Sequence, residues 1–99
     1  MDGTYQLHAE LCKVFANPTR LEIVDHLRSK ELSVTKLVEK IKRSQANISQ
    51  HLAIMKYKGI VTSRRNGTNI YYALTNPKIV EAFDIIREVL AEKKRKIGE

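Results

Sequence analysis

Two short amphipathic runs, almost touching, constrain this chain more than any other feature. From Ser33, the apolar positions Val34, Leu37, Val38 and Ile41 recur at helical spacing. From Ser44, Ile48, Leu52 and Met55 do the same. Only about three residues around Lys42–Arg43 separate the two runs, which predicts two helices crossing steeply at a tight turn. Gly59 stands just past the second run, where a left-handed residue commonly ends a helix.

The flanking segments complete one small domain. Leu7, Leu11, Val14 and Phe15 give an amphipathic first helix over about 4–16. Asn17–Pro18 resets the chain with an N-cap followed by a proline at the first helical position. A second helix therefore runs to about Ser29, carrying Leu21, Val24 and Leu27 inward. After Gly59, the β-prone runs 60–65 and 68–74 flank Asn66–Gly67, which predicts a hairpin closed by a type I′ turn. Asn76–Pro77 repeats the capping device and opens a fifth helix to about Lys94, with the basic end Lys93–Lys94–Arg95–Lys96 expected to fray. The expected fold is mainly α with a small β-hairpin: a winged helix-turn-helix of five helices and a two-stranded wing, one domain over residues 1–99.

Charge narrows the function. The net charge is +7, and it is unevenly spread. Between Glu39 and Glu81 there is no Asp or Glu, while Lys40, Lys42, Arg43, Lys56, Lys58, Arg64, Arg65 and Lys78 fall inside. Such a surface attracts a polyanion through counterion release. Apolar residues at 42 % and charged residues at 29 % describe an ordinary globular chain. No apolar run approaches the ~20 residues needed to span a bilayer. The start carries no basic and apolar leader, and the single cysteine, Cys12, has no partner within the chain, so a cytoplasmic location is expected. Enzyme readings lack parts: there is no glycine-rich phosphate loop, and no nucleophile or paired-carboxylate constellation stands out.

The second of the two central helices carries the recognition chemistry. Ile48, Leu52 and Met55 point one way, leaving Gln45, Ala46, Asn47, Ser49 and Gln50 outward over its first turns. These are small or amide side chains without charge. Asn and Gln can pair bidentately with adenine, and Ser can donate or accept. Ser44, Gln45, Asn47, Ser49 and Gln50 are thus expected to face a DNA major groove. Lys42, Arg43, Arg64 and Arg65 are expected on phosphates, the last two within reach of the minor groove. His51 falls on the edge between the core stripe and the exposed face, with packing or a phosphate contact as its roles. Two other readings stay open on these features: a winged-helix module that docks on an acidic protein, and a chromatin-like protein indifferent to sequence.

The run Ser44–Gln45–Ala46–Asn47–Ile48–Ser49–Gln50–His51–Leu52, followed by Lys56–Tyr57–Lys58–Gly59–Ile60–Val61, resembles the recognition helix of the ArsR family of repressors. Phe15–Ala16–Asn17–Pro18–Thr19–Arg20–Leu21 resembles that family's entry to helix 2, and Arg64–Arg65–Asn66–Gly67–Thr68 with Tyr71–Tyr72–Ala73–Leu74 its wing. The resemblance covers about residues 7–90. It implies a sequence-specific repressor binding a double-stranded operator as a homodimer, paired through helices 1 and 5, which brings in Leu7 and Leu11.

Helix 5 supports the pairing from its own pattern. Ile79, Phe83, Ile86 and Leu90 make one stripe, and Ala82, Ile85 and Val89 widen it beyond what packing on one core needs. The metal sites of the family are absent as patterns. Ser33 and Thr35 stand where its thiolates would be, and helix 5 carries carboxylates but no histidine. His8 and Cys12 lie one turn apart on helix 1, and two copies at a dimer seam could supply four zinc ligands; two residues specify little, and a small apolar cysteine beside a surface histidine is the commoner arrangement. No metal or cofactor is therefore expected from the residues, and they leave the effector unknown.

Overall fold

The computed structural model describes residues 2–98. Five helices and a small sheet follow in the order α1 (Thr4–Val14), α2 (Pro18–His26), β1 (Leu32–Ser33), α3 (Val34–Ile41), α4 (Gln45–Tyr57), β2 (Val61–Asn66), β3 (Asn69–Leu74) and α5 (Lys78–Gly98). The helix starts follow their caps. Asn17 Oδ1 accepts from the Arg20 amide at 3.1 Å with Pro18 at the first helical position, and Ser33 and Ser44 cap α3 and α4 in the same way. Each cap satisfies an amide that the helix itself leaves orphaned, worth about 1 kcal/mol.

α4 ends in a Schellman arrangement. Gly59 adopts φ 78°, its amide reaches the Lys56 carbonyl, and the Ile60 amide returns to the Met55 carbonyl at 2.8 Å. The half-buried Ile60 thereby turns onto the core, and β2 starts antiparallel to the chain that follows. The turn between α3 and α4 is the three residues Lys42–Ser44, with Lys42 in the left-handed region at φ 62°. A side chain there meets the following carbonyl, so the tight turn is held against a steric cost of about 1–2 kcal/mol.

The structure differs from the sequence reading at several places. The sheet has three strands in the order β1–β3–β2, because Leu32 and Ser33 pair with Tyr72 and Tyr71 before α3 begins. The hairpin β2–β3 is the wing, and β1 braces its inner edge. Asn66 pairs with Asn69, so the two central turn residues are Gly67 and Thr68. Gly67 alone has positive φ among the described turn residues, the pattern of a type II′ turn and not of type I′. α1 and α2 stop earlier than expected, at Val14 and His26, while α5 continues through the basic run to Gly98.

The core lies where α2, α3 and α4 meet the base of the wing. Ile23, Leu37, Ile48, Leu52 and Met55 are fully enclosed there. Phe15 from the end of α1 meets Phe83 of α5 edge to face, with ring centroids 4.8 Å apart. That pair, with Val80, attaches α5 to the body. Ile86 and Leu90, the outer half of the helix's main apolar stripe, are each 55 % exposed, and Ile85, Val89 and Leu7 are more so. One apolar face formed by α1 and α5 is thus left open on the single chain.

Polar contacts fix α5 from the other side. Arg28 reaches both Asp25 of α2 and Asp84 of α5, and Arg87 closes the square onto the same two carboxylates. Hydrogen bonds from Arg28 hold both Asp25 and Asp84 below the usual carboxylate range. All four side chains are well exposed, so the network orients the helix more than it stabilises it.

Candidate nucleic-acid interface

Three fully enclosed side chains, Ile48, Leu52 and Met55, pin one face of α4 to the core. Its opposite face is therefore held rigidly in solvent. Gln45, Ala46, Ser49 and Gln50 are exposed over the first turns. Lys42 and Arg43 are exposed in the turn immediately before.

Two of the expected base readers have surroundings of their own. The exposed Ser44 hydroxyl accepts from the Asn47 amide at 3.1 Å, which leaves its O–H and a second lone pair for another partner. Asn47 is half-buried, and its Oδ1 is shut off from solvent without a hydrogen-bond partner among the described residues. An amide oxygen enclosed this way is not offered to a base edge.

The two wing arginines have different surroundings. Arg64 Nε donates to Glu31 Oε2 at 2.9 Å, its Nη2 also contacts Glu31, and its guanidinium lies 4.8 Å from the Tyr71 ring centre. The register explains this: Arg64 on β2 and Ser33 on β1 both lie opposite Tyr71 on β3, so Glu31, just before β1, reaches across the ring. The Arg64 guanidinium in turn holds the Glu31 carboxyl below its ordinary range. Arg65 is exposed, with no salt bridge among the described residues. The wing therefore presents one neutralised and one open cation.

Two further contacts were not read from the sequence. Lys56 Nζ donates to Ser63 Oγ at 2.7 Å, tying the end of α4 to the wing. Arg20 Nε donates to His51 Nδ1 at 3.1 Å, and its Nη1 reaches the Val14 carbonyl at 3.2 Å. Arg20 so joins α1, α2 and α4. Partial burial, then the neighbouring Arg20 and Arg43 charges, lower the pKa of the His51 imidazole and favour the neutral form that accepts from Arg20. No short motif signals either contact; both depend on how the helices cross.

Between α1 and α5 lies an apolar groove of about 400 Å³ lined by Leu11, Phe83, Ile86 and Leu90, with His8 and Cys12 also in its wall. Ser33 serves as the α3 cap, and Thr35 is exposed in that helix's first turn. Among the described residues, no three His, Cys, Asp or Glu side chains converge. Nor is any described helix long and apolar enough to cross a membrane.

Helix, tight turn, exposed second helix and basic hairpin define a winged helix-turn-helix regulatory protein. Residues 17–63 match the bacterial regulatory protein, arsR family. The chain is 43 % identical over 72 residues to the transcriptional repressor PagR of Bacillus anthracis, covering 72 % of each chain. It superposes on the crystal structure of Rv0081 of Mycobacterium tuberculosis with a TM-score of 0.85, at 30 % identity and full coverage of both chains. It also matches, at TM-score 0.81 and 26 % identity, a homodimeric winged helix-turn-helix DNA-binding domain from Mycobacterium bovis, covering 97 % of this chain and 92 % of that one. The chain belongs to the ArsR family of regulatory proteins and is not an enzyme.

Proposed function

We propose that this protein is a cytoplasmic repressor that binds a double-stranded operator as a homodimer and reads its sequence with α4. The observation that carries the reading is the composition of the rigid exposed face of α4. Gln45, Ser49 and Gln50 are exposed neutral hydrogen-bonding groups that follow the exposed cations Lys42 and Arg43 in the turn, and the wing adds the exposed Arg65. Neutral amides and hydroxyls can discriminate base edges, and the flanking cations supply affinity that any duplex would share. A surface built only to bind charge would not need them.

The second copy covers the open face of α1 and α5. Leu7, Leu11, Ala82, Ile85 and Val89 form this seam, joined by Ile86 and Leu90, which the single chain leaves exposed. Burying that face removes a contiguous apolar surface from water, the usual reason for a stable symmetric pair. The similarity to a homodimeric DNA-binding domain and to a named repressor supports the same assembly and activity.

Selecting bound sequences from a random duplex pool tests this directly. The expected product is a partly palindromic site with half-sites about one helical turn apart, matching the two-fold symmetry of the pair. Equal affinity for selected and random duplexes would leave a sequence-indifferent binder. No affinity for either would leave a protein-docking module.

A further inference from the structure

The two helices of the proposed seam enter the core near one end each. In α1, residues 4–13 are exposed, and burial begins at Val14 and Phe15. Along the 21 residues of α5, Val80 and Phe83 are buried in the first turns, and every residue from Ile85 to Lys96 is exposed. A helix held at one end can swing about that end unless something farther along it is also tied.

The charged square is that tie. Arg28 donates from Nη1 and Nη2 to the two Asp84 oxygens at 3.2 and 3.0 Å, and Arg87 Nη1 donates to Asp25 Oδ1 at 3.1 Å. These bonds join α5 to the C-terminal end of α2, and Arg87 stands one turn beyond Phe83. α2 is in turn fixed to α4. Its Ile23 and Val24 are fully enclosed in the core they share with Ile48 and Leu52, and Arg20 near its other end donates to His51.

We propose that Asp25, Arg28, Asp84 and Arg87 set the spacing of the half-sites this protein accepts, by fixing the angle between the seam helix α5 and the DNA-reading body. The inference rests on the homodimeric DNA-binding reading above. In a symmetric pair the seam fixes one α5 to the other, and the square fixes each α5 to its own α2 and so to its own α4. The separation of the two α4 helices follows from these joints, and a swing at the square acts twice. A half-site one base pair out of place is displaced by about 3.4 Å and turned by about 35°. Stiff joints reject that displacement, and loose joints follow it. The two parallel Arg28–Asp84 bonds suit the role, because a planar guanidinium fork fixes direction as well as distance. Exposed ion pairs add little stability, so the same residues can act on geometry while the melting temperature hardly moves.

The test measures affinity for the selected operator, for operators with the half-sites one base pair closer or farther apart, and for a duplex with a single half-site. Asp25→Asn, Arg28→Gln leaves the net charge unchanged and alters no residue of α4, the wing or the seam helices. The parent should favour one spacing over its neighbours. In the double variant that preference should shrink about threefold to tenfold, the worth of two or three exposed ion pairs. The single half-site should bind both proteins alike, and the DNA-free dimer should be equally strong. Asp84→Asn weakens the same joint from the α5 side, should shift the preference in the same direction, and carries the test if the double variant folds poorly.

A spacing preference that is absent in the parent, or unchanged in the variants, would overturn the proposal. So would an equal loss at every spacing and on the single half-site, which would put the square in the fold of the reading helix. A weakened DNA-free dimer would also overturn it, by putting the square in the seam itself. A parent that binds no duplex, or binds only as a monomer, would instead defeat the reading on which the inference rests.

Discussion

The contrast between Arg64 and Arg65 gives a prediction that sequence could not have supplied. Both cations stand on β2, but Glu31 neutralises Arg64 while Arg65 is open to solvent. In a homodimer each phosphate neutralised per subunit counts twice. Arg65→Ala should therefore flatten the log–log salt slope by about 1.8, from about 0.9 per contact. Over a fourfold rise in salt, that is a difference on the order of tenfold in affinity. Glu31→Ala works in reverse. It releases the Arg64 guanidinium from its carboxylate partner and should steepen the slope by up to the same amount. The double variant Glu31→Ala, Arg64→Ala removes a neutral pair and should return the slope to that of the parent. Fluorescence anisotropy on a labelled duplex across a salt series measures all four proteins. If Arg65→Ala and Glu31→Ala both leave the slope unchanged, the wing does not touch DNA. If only Glu31→Ala does, Arg64 faces away from the duplex whether paired or free.

Three other outcomes are expected. Ile85→Lys places an unpaired charge in the proposed seam at a cost of about 3 kcal/mol, weakening dimerisation on the order of a hundredfold; an unchanged dimer by sedimentation would remove α5 from the interface. Lys42→Gly relieves the left-handed Lys42 and should raise stability by up to about 1 kcal/mol while weakening DNA binding and its salt dependence, so a parallel loss of melting temperature would refute the strain. His51 has a folded-state pKa below its unfolded value near 6.5, so its contribution is complete above that pH and is lost as pH falls through the folded value; His51→Gln, which can still accept from Arg20, should lose less melting temperature than the parent between pH 7.5 and 5.

What the sequence disclosed and what it hid follow from range. Caps, helix stops and hairpin signals act within a few residues, so Asn17, Ser33, Ser44 and Gly59 could be placed from their neighbours alone. The core stripe of α4 was legible because all three of its residues face one way at helical spacing. Pairings across the fold were not legible. β1 is two residues long and carries no periodicity, so the third strand was missed, and with it the reach of Glu31 to Arg64. The inward or outward assignment of Ile86 and Leu90 was also hidden. A wide apolar stripe looks the same whether its first two turns alone meet the body, as Val80 and Phe83 do, or its whole length does. Asn47 shows the converse limit: its residue type suits a base contact, but its oxygen is turned inward.

The placement of charge divides the proposed labour on this surface. Lysine and arginine heads sit on long flexible stems and need only approach a phosphate, so Lys42, Arg43 and Arg65 can stand in turns and on a hairpin without loss. Discrimination between bases requires donors and acceptors fixed to within a fraction of an ångström, because a misaligned hydrogen bond is worth little. On the proposed reading, Gln45, Ser49 and Gln50 are held for this because Ile48, Leu52 and Met55 on the same helix are fully enclosed, and because Lys56 and Arg20 tether that helix to the wing and to α1. Loosening α4 by truncating Leu52 should therefore erode preference for the operator before it erodes affinity for random duplex.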